Sequence, residues 1–277
     1  MKNIIKSIFI SSLPVFALVI FIKTLINNNF NSSSIGILIA SFAIAAFFAM
    51  LFIKPVARTS KNLKLYSSLI LIGFILNLFN FEQKPLLIAA LLALGWLAYL
   101  TWYSAFNTRN TSVLQEGKTI ENFTLENSKK EAVSLSDLSG NFKILIFYRG
   151  NWCPLCMAQI KEVVAEYKAL EKRNVDMVLI SSQPHKFTKN LAKKHQVPFH
   201  FLVDKSNKLA KKLGILHENG LPAGFQVFGY ESDVVLPTVI ITDKENKIIF
   251  ADLTDNYRVR PEPETFIKII DNHIKTN

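Results

Sequence analysis

One stretch of the chain decides its fold: Phe147-Tyr148-Arg149-Gly150-Asn151-Trp152-Cys153-Pro154-Leu155-Cys156. It holds both cysteines of the 277-residue sequence, spaced Cys-x-x-Cys. An apolar strand pattern precedes the pair, and Pro154 suits the first turn of the helix pattern that follows. A helix start presents unpaired N–H groups and the positive end of a dipole, and both stabilise a thiolate. The stretch therefore predicts redox or nucleophilic chemistry at Cys153 and Cys156.

Three other roles fit the cysteine pair less well. A structural disulfide across so short a loop would constrain the unfolded chain little. A zinc site would need further ligands, and the nearest histidines, His195 and His200, lie far beyond the usual finger spacing. Two ordinary buried thiols are disfavoured by the Trp-Cys-Pro-x-Cys context after a strand. We therefore expect no metal and no cofactor at this motif.

The residues around the motif predict an α/β domain. Strand patterns cover residues 119–125, 132–135, 143–148, 175–181, 200–203, 238–242 and 247–253. Helix patterns cover residues 154–170, 186–194, 206–213 and 263–275. Strands that alternate with helices indicate a central sheet flanked by helices, and the last two strands read as an antiparallel hairpin. The segment 214–236 is long for a loop in such a domain, which suggests a substrate-facing role.

The N-terminal part predicts an all-α transmembrane region of four helices. Residues 1–106 contain eight Lys or Arg and a single acid, Glu82. Apolar runs lie near residues 8–27, 35–53, 65–81 and 85–106. Each is close to the length that crosses a bilayer as a helix, and none has an ionisable residue in its middle. Without intramembrane charge there is no obvious ion path, so anchoring in a lipid bilayer is the expected role.

Loop charge predicts the orientation and the domain boundaries. The 54–64 loop carries four basic residues, which places it and the N-terminus in the cytoplasm by the positive-inside rule. Four spans then return the C-terminal domain to the cytoplasmic face of a multi-pass protein of the bacterial inner membrane. We expect a transmembrane region at 1–106, a polar linker at 107–118 and the redox domain at 119–277. The basic excess is interpreted as a topology signal, so no nucleic-acid partner is expected.

The motif and its surroundings resemble the thioredoxin fold, and within it the peroxiredoxin-like alkyl hydroperoxide reductase/thiol-specific antioxidant family. The segments that carry the resemblance are Asn122–Leu125, Val133–Leu138, Phe147–Cys156 and Asp255–Pro261. The resemblance implies that Trp152 packs beside the cysteines. It also implies that Pro237, followed by Thr238, matches the cis-proline that faces the pair in thioredoxin-like proteins. On composition alone, Pro237 would be a trans proline that begins a strand.

The sequence departs from the peroxidase pattern Pro-x-x-x-Thr-x-x-Cys. In that alignment Arg149 replaces the proline, Cys153 replaces the threonine, and Cys156 takes the place of the peroxidatic cysteine. In thioredoxin terms the roles are exchanged, with Cys153 the exposed attacking thiol and Cys156 its buried partner. Arg149 either stabilises a thiolate or a bound peroxide, or leaves the sheet and faces water.

The resemblance implies a membrane-anchored thiol oxidoreductase with antioxidant activity, acting on peroxides or disulfides. A Cys153–Cys156 disulfide would close in each cycle, and an external thiol reductant of the thioredoxin or glutathione type would reset it. One alternative is a thioredoxin-type reductase or electron relay for a membrane partner. Another is a non-catalytic thioredoxin-fold binding module. Arg258 and Arg260 lie in the family-like tail, where we expect a solvated or ion-pair role ahead of a catalytic one.

Overall fold

A computed structural model describes residues 2–27, 31–80, 82–106 and 112–276. The chain divides into two compact units. The helical unit comprises residues 1–105 with 222–224, and the sheet unit comprises residues 106–221 with 225–277. Residues 107–111 of the predicted linker lie outside the described residues, so the predicted boundaries stay a prediction.

The helical unit contains the four predicted helices. They are α1 (Lys2–Ile26), α2 (Ser32–Ile53), α3 (Lys64–Leu78) and α4 (Gln83–Ala98). A π-helical turn, Tyr99–Tyr103, continues α4. Three helical stretches are long and apolar enough to cross a membrane, namely α1, α2 and Gln83–Tyr103. Helix α3 has 15 residues, or about 22 Å of helix, against the roughly 30 Å of a bilayer core. Residue 81, the end of the predicted third run, lies outside the described residues.

Close backbone packing joins α2 to α3. A Cβ built on Gly36 would lie 2.6 Å from the carbonyl oxygen of Gly73, so a larger side chain would push the helices apart. Asn77 is buried at the same crossing, and its amide donates to the carbonyl of Gly73 at 2.9 Å. Small residues that allow such an approach are typical of helices that pack in a membrane. The polar Asn77, which interrupts the apolar run, is thus hydrogen-bonded inside its own unit.

The sheet unit contains nine strands and five helices within the described residues. The strands are β1 (Thr124–Asn127), β2 (Ala132–Ser134), β3 (Phe142–Phe147), β4 (Val175–Ser181), β5 (His200–Val203), β6 (Leu216–His217), β7 (Val234–Val235), β8 (Thr238–Asp243) and β9 (Ile248–Asp252). The helices are α5 (Pro154–Ala165), α6 (Tyr167–Glu171), α7 (His185–His195), α8 (Lys208–Lys212) and α9 (Pro263–Thr276). Single 3₁₀ turns precede α8 and follow β2.

Seven of these strands form one mixed sheet in the order β2-β1-β5-β4-β3-β8-β9. Strands β3, β4 and β5 run parallel, while β8 is antiparallel to both β3 and β9. Every residue of β3 is buried, as its apolar pattern predicts for a central strand. The flanking helices and the β8–β9 hairpin confirm the predicted thioredoxin-like α/β fold.

Two local differences from the sequence prediction stand out. The strand expected at 119–125 begins only at Thr124, and Thr119 makes a single bridge with Lys247. The segment 214–236, expected to be a plain loop, contains the two-stranded β6–β7 sheet and a 3₁₀ turn, Phe225–Phe228. Two-residue strands have no detectable alternation, so the sequence pattern could not reveal them.

The parallel strands bring their carboxyl ends to one edge of the sheet. The cysteine motif follows β3 there, Gln183 follows β4, and Asp204 follows β5. Side chains that converge beyond the carboxyl ends of parallel strands form the usual binding crevice of open α/β sheets. This edge therefore holds the candidate site.

Candidate functional site

The backbone between β3 and α5 turns sharply to place Cys153 at the start of the helix. Gly150 has a φ of +141°, a conformation that side-chain-bearing residues rarely adopt. Cys153 is the N-cap residue, and Pro154 occupies the first helical turn. The predicted strand–motif–helix arrangement is therefore present.

The two cysteines are both buried at this helix start. Cys153 is 3% exposed and Cys156 is fully covered. Their Cα atoms are 5.3 Å apart, and their sulfur atoms lie within disulfide-bonding distance. The Cys153 sulfur also accepts a hydrogen bond from the Cys156 N–H at 3.3 Å. The expectation that Cys153 is the exposed thiol of the pair is wrong for this structure, because the motif lies below the surface of the domain.

Arg260 brings a guanidinium group to the two sulfur atoms. Both of its terminal nitrogens lie 3.5 Å from the Cys156 sulfur, and one lies 4.0 Å from the Cys153 sulfur. Its Nε donates to the carbonyl of Tyr257 at 3.0 Å. Arg260 is only 6% exposed. The expected solvated role is therefore wrong for Arg260, since its cationic group faces the sulfur atoms inside the protein.

Gln159 orients this guanidinium group. The Arg260 guanidinium donates to the Gln159 side-chain oxygen at 3.0 Å, and Gln159 is itself buried. Gln159 lies three residues after Cys156, one turn along α5, a spacing that places both side chains on one helix face. Sequence reasoning missed Gln159, although this spacing was a usable signal. Arg258 is completely buried, so the solvated role is wrong for it as well, whereas its ion-pair role stays a prediction.

Gln183 connects the cysteine loop to α7. Its side-chain oxygen accepts from the Asn151 N–H at 2.8 Å. Its amide donates to the Tyr148 hydroxyl at 3.0 Å and to the Thr188 hydroxyl at 3.2 Å. Burial raises the pKa of Tyr148 well above its ordinary value, so its hydroxyl stays neutral. This network holds the turn before Cys153, and no sequence signal marked Gln183.

Trp152 and Arg149 join the cysteine motif to the 214–236 segment. The Arg149 guanidinium lies 4.7 Å from the Trp152 ring centre and donates to the carbonyl of Gly220. Arg149 is 4% exposed, so its side chain does not face water. The hydrogen bond and ring contact described for it go to Gly220 and Trp152, not to a cysteine sulfur. Trp152 packs against a buried apolar cluster formed by Leu221, Tyr230 and Val234, with Phe187 and Phe225 around it. The implied packing of Trp152 beside the cysteines stays a prediction.

Pro237 and Thr238 lie beside the strand that leads into the motif. Thr238 pairs with Phe147, the last residue of β3, and its hydroxyl donates to the carbonyl of Leu236 at 2.9 Å. The peptide bonds between described residues are all trans, including the one before Pro237. The cis bond implied by the resemblance is therefore absent, and the composition-based alternative agrees with the structure. The roles of Pro237 and Thr238 in the chemistry stay a prediction.

Several buried polar atoms near the motif have no partner among the described residues. They are the Arg149 Nε, the Asn151 Oδ1, the Trp152 Nε1 and the Gln159 Nε2. Three of them are N–H donors and one is an acceptor. No group of three metal-binding side chains occurs in the described part of the chain.

Comparison with known proteins gives relatives for the sheet unit. Residues 117–251 match the model of the AhpC/TSA family. Chloroplastic peroxiredoxin Q of Triticum aestivum is 31% identical over 102 residues, which are 37% of this chain and 47% of that protein. Thiol-disulfide oxidoreductase ResA of Bacillus subtilis is 29% identical over 125 residues, which are 45% of this chain and 66% of ResA. The chain thus spans about half the length of its peroxiredoxin Q relatives.

A similarity to solved structures covers the same unit. The crystal structure of Enterococcus faecalis AhpC aligns with 58% of this chain and 93% of its own length. The TM-score is 0.49 and the sequence identity is 17%.

The geometry at Gly150 predicts the effect of a small substitution. A Cβ at this position would lie 2.8 Å from the Trp152 ring nitrogen, in addition to the backbone strain of the positive φ. We expect Gly150→Ala to displace Trp152 and to destabilise the sheet unit by about 1–3 kcal/mol. Thermal unfolding of the detergent-solubilised chain measures the loss.

Gly117→Ala is the matched control for this prediction. Gly117 also has a positive φ, but a Cβ there would have nothing within 4 Å. It therefore carries the backbone strain without the clash. Equal destabilisation by the two substitutions would show that contact with Trp152 contributes nothing.

Proposed function

We propose that the protein is a membrane-anchored thiol oxidoreductase, because residues 117–251 match the AhpC/TSA family model and the sheet unit has a thioredoxin-like fold. It reduces peroxides through the redox pair Cys153 and Cys156. An external thiol reductant of the thioredoxin or glutathione type returns the pair to the dithiol state. The curated relatives named above are peroxiredoxins and a thiol-disulfide oxidoreductase, which supports thiol chemistry.

One observation carries the peroxidase proposal: the Arg260 guanidinium lies 3.5 Å from the Cys156 sulfur through two nitrogens. A nearby positive charge favours the thiolate, and burial strengthens the interaction because water is excluded. The Cys153 sulfur is farther from the guanidinium, at 4.0 Å. Cys156 is therefore the better nucleophile toward a peroxide, in the alignment position of the peroxidatic cysteine.

The proposed cycle transfers two electrons from thiols to the peroxide. The Cys156 thiolate attacks one peroxide oxygen, the O–O bond breaks, and the departing oxygen leaves as water or an alcohol after taking up a proton. Cys156 is then a sulfenic acid. The Cys153 thiol attacks that sulfur, water leaves, and the Cys153–Cys156 disulfide forms. A reductant dithiol, or two monothiols in succession, reduces the disulfide through a mixed disulfide.

A second candidate function is disulfide reduction in the manner of thioredoxin. The position of Cys153 favours it, because its sulfur sits at the N-cap of α5 and accepts the Cys156 N–H at 3.3 Å. A helix start stabilises a thiolate at that position. In this case Cys153 attacks a substrate disulfide and Cys156 resolves the mixed disulfide.

The membrane part of the proposal rests on the helical unit. Three apolar helices of spanning length support insertion into a lipid bilayer. The four basic residues of the 54–64 loop favour a cytoplasmic position for that loop and, with four spans, for the redox domain. The orientation depends on whether the short α3 spans the bilayer. If it does not, the remaining three spans would place the two ends of the chain on opposite sides of the membrane.

Cysteine variants of the full-length chain distinguish the two functions. We expect Cys153→Ser to retain fast consumption of one equivalent of hydrogen peroxide and Cys156→Ser to lose it, because Arg260 supports the Cys156 thiolate. Stopped-flow measurement of thiol loss in the reduced, detergent-solubilised protein gives the rates. Slow peroxide reaction with fast reduction of oxidised glutathione that depends on Cys153 would instead establish the thioredoxin-type function.

Removal of the guanidinium tests its role directly. Arg260→Gln keeps hydrogen-bonding capacity but removes the charge, so we expect the thiolate of Cys156 to form only at higher pH. The peroxide reaction at neutral pH should then fall by about tenfold or more. The pH dependence of thiolate absorbance in the Cys153→Ser background measures the shift.

Arg173→Gln is the control for the Arg260 variant. Arg173 forms a partly exposed ion pair with Asp271 at 2.6 Å, away from the cysteines. The Arg173→Gln substitution should leave both the titration of the Cys156 thiol and the rate of the peroxide reaction unchanged. An Arg260→Gln protein with the wild-type titration curve would refute the electrostatic role.

The topology is tested by the accessibility of the redox domain in intact cells. We expect added protease to spare the domain in spheroplasts and to cleave it after lysis, because it is proposed to face the cytoplasm. Immunoblotting for the C-terminal residues reads the outcome. Cleavage in intact spheroplasts would favour the three-span arrangement.

A further inference from the structure

The charge of the sheet unit is concentrated in one segment of sequence. Residues 185–212 contain eight lysines and a single acid, Asp204. The rest of residues 107–277 contains 16 basic and 19 acidic residues. The domain is therefore strongly positive in this segment and slightly negative elsewhere. The sequence-based interpretation that the basic excess mainly reports membrane topology did not identify this cluster.

Helix α7 presents its lysines on its outer side. Lys186, Lys189 and Lys193 follow one another at spacings of three and four residues, which aligns them along one face of the helix. All three are exposed, as is the adjoining Lys194. The opposite face is buried through Thr188 and Leu191. The lysines are thus an outward stripe on a helix that is fixed to the sheet.

The connection after β5 extends this positive surface. Lys205 and Lys208 are exposed and follow the carboxyl end of β5. Helix α7 begins just after the carboxyl end of β4, the parallel neighbour of β5. Because β4 and β5 are parallel, α7 runs back from the carboxyl end of β4 toward the amino end of β5. Lys186 therefore lies near the carboxyl ends of the strands, as Lys205 does, and the stripe on α7 extends from there toward the amino ends. We call Lys186, Lys189, Lys193, Lys194, Lys205 and Lys208 the lysine face.

Asp204 attracts Lys208, but in the described part of the chain carboxylates do not pair with the other lysines of this surface. Asp204 is 2% exposed, and its carboxylate accepts the backbone N–H groups of Leu209 and Ala210 at 2.9 and 2.8 Å. Lys212, outside the lysine face, pairs with Glu121. Among the described residues, no ion pair involves a lysine of the lysine face.

We propose that the lysine face binds the phosphate headgroups of an anionic lipid bilayer. The inference rests on the proposed membrane anchoring, because anchoring supplies the partner. The predicted linker, residues 107–118, reaches at most about 40 Å even when fully extended. The bilayer surface is therefore present at high effective concentration next to the domain. Clustered lysines close to a membrane bind anionic lipids, each adding to the attraction.

Lipid binding through this face would orient the redox site. The cysteine motif follows β3 at the carboxyl ends of the parallel strands, where the lysine stripe of α7 begins. The domain would therefore rest its α7 side on the bilayer, which fixes the orientation of the motif relative to the membrane surface.

The experiment compares lysine reactivity in two lipid environments. The full-length chain is assembled into nanodiscs of phosphatidylcholine alone, or of phosphatidylcholine with phosphatidylglycerol. A brief pulse of an amine-acylating reagent is followed by mass spectrometry of each lysine. We expect the lysine face to be acylated about fivefold more slowly, or slower still, in the anionic nanodiscs, with the difference reduced by high salt.

Lys244 and Lys247 are the internal controls. Both are exposed and lie in the turn between β8 and β9. These two strands end the sheet on the side away from β5. Their acylation should not depend on the lipid. The triple variant Lys186→Glu/Lys189→Glu/Lys193→Glu should abolish the protection of Lys194, Lys205 and Lys208, whereas Lys244→Glu/Lys247→Glu should preserve it.

Three results would overturn the proposal. Equal acylation of the lysine face in both nanodiscs would refute lipid binding while leaving membrane anchoring intact. Protection by an added RNA oligomer in zwitterionic nanodiscs, without protection by phosphatidylglycerol, would assign the surface to nucleic acid. A chain that does not assemble into nanodiscs at all would refute the anchoring itself, and lipid binding with it.

Discussion

A buried guanidinium beside two sulfur atoms is the constraint on which the site depends. Burying a cation is unfavourable unless its N–H groups find partners. The structure supplies them from three places: the carbonyl of Tyr257, the side chain of Gln159 and the sulfur of Cys156. The turn after β9 and the first turns of α5 must therefore keep a fixed spacing. That spacing is maintained by the sheet between them, since β3 pairs with β8 and β8 with β9.

Much of the fold could be predicted because its signals are local. The apolar run of β3, the helix start at Pro154 and the β8–β9 hairpin each follow from a few consecutive residues. The cysteine part of the site could be predicted from the sequence. Its other side chains could not, because they come from segments distant in sequence. Arg260 is 104 residues from Cys156, and a single sequence does not tell whether an arginine in a turn faces water or the interior. The same limit applies to Gln183 and to the contact between Arg149 and Gly220.

In the helical unit, the sequence predicts where the helices lie better than it predicts which of them span a membrane. Hydropathy locates its helices well, because an apolar run needs no partner to be recognised. It is less informative about spanning, since α3 has apolar character but only 15 residues. Asn77 illustrates why the pattern is ambiguous there. A polar residue in an apolar run reads as an interruption, yet in the structure it is buried at the crossing of α2 and α3.

The distance along the chain between the cysteines and Arg260 also matters while the protein is being made. Ribosomes add roughly 5–20 residues per second, so the thiols are synthesised seconds before the arginine that faces them. For most of that interval β8 is missing as well, and β3 has no neighbour on that side. On the proposed mechanism, a nascent chain therefore carries its two cysteines without the arginine that supports the Cys156 thiolate. The full reactivity of Cys156 toward peroxides would then arise only when the last part of the domain has been translated and packed.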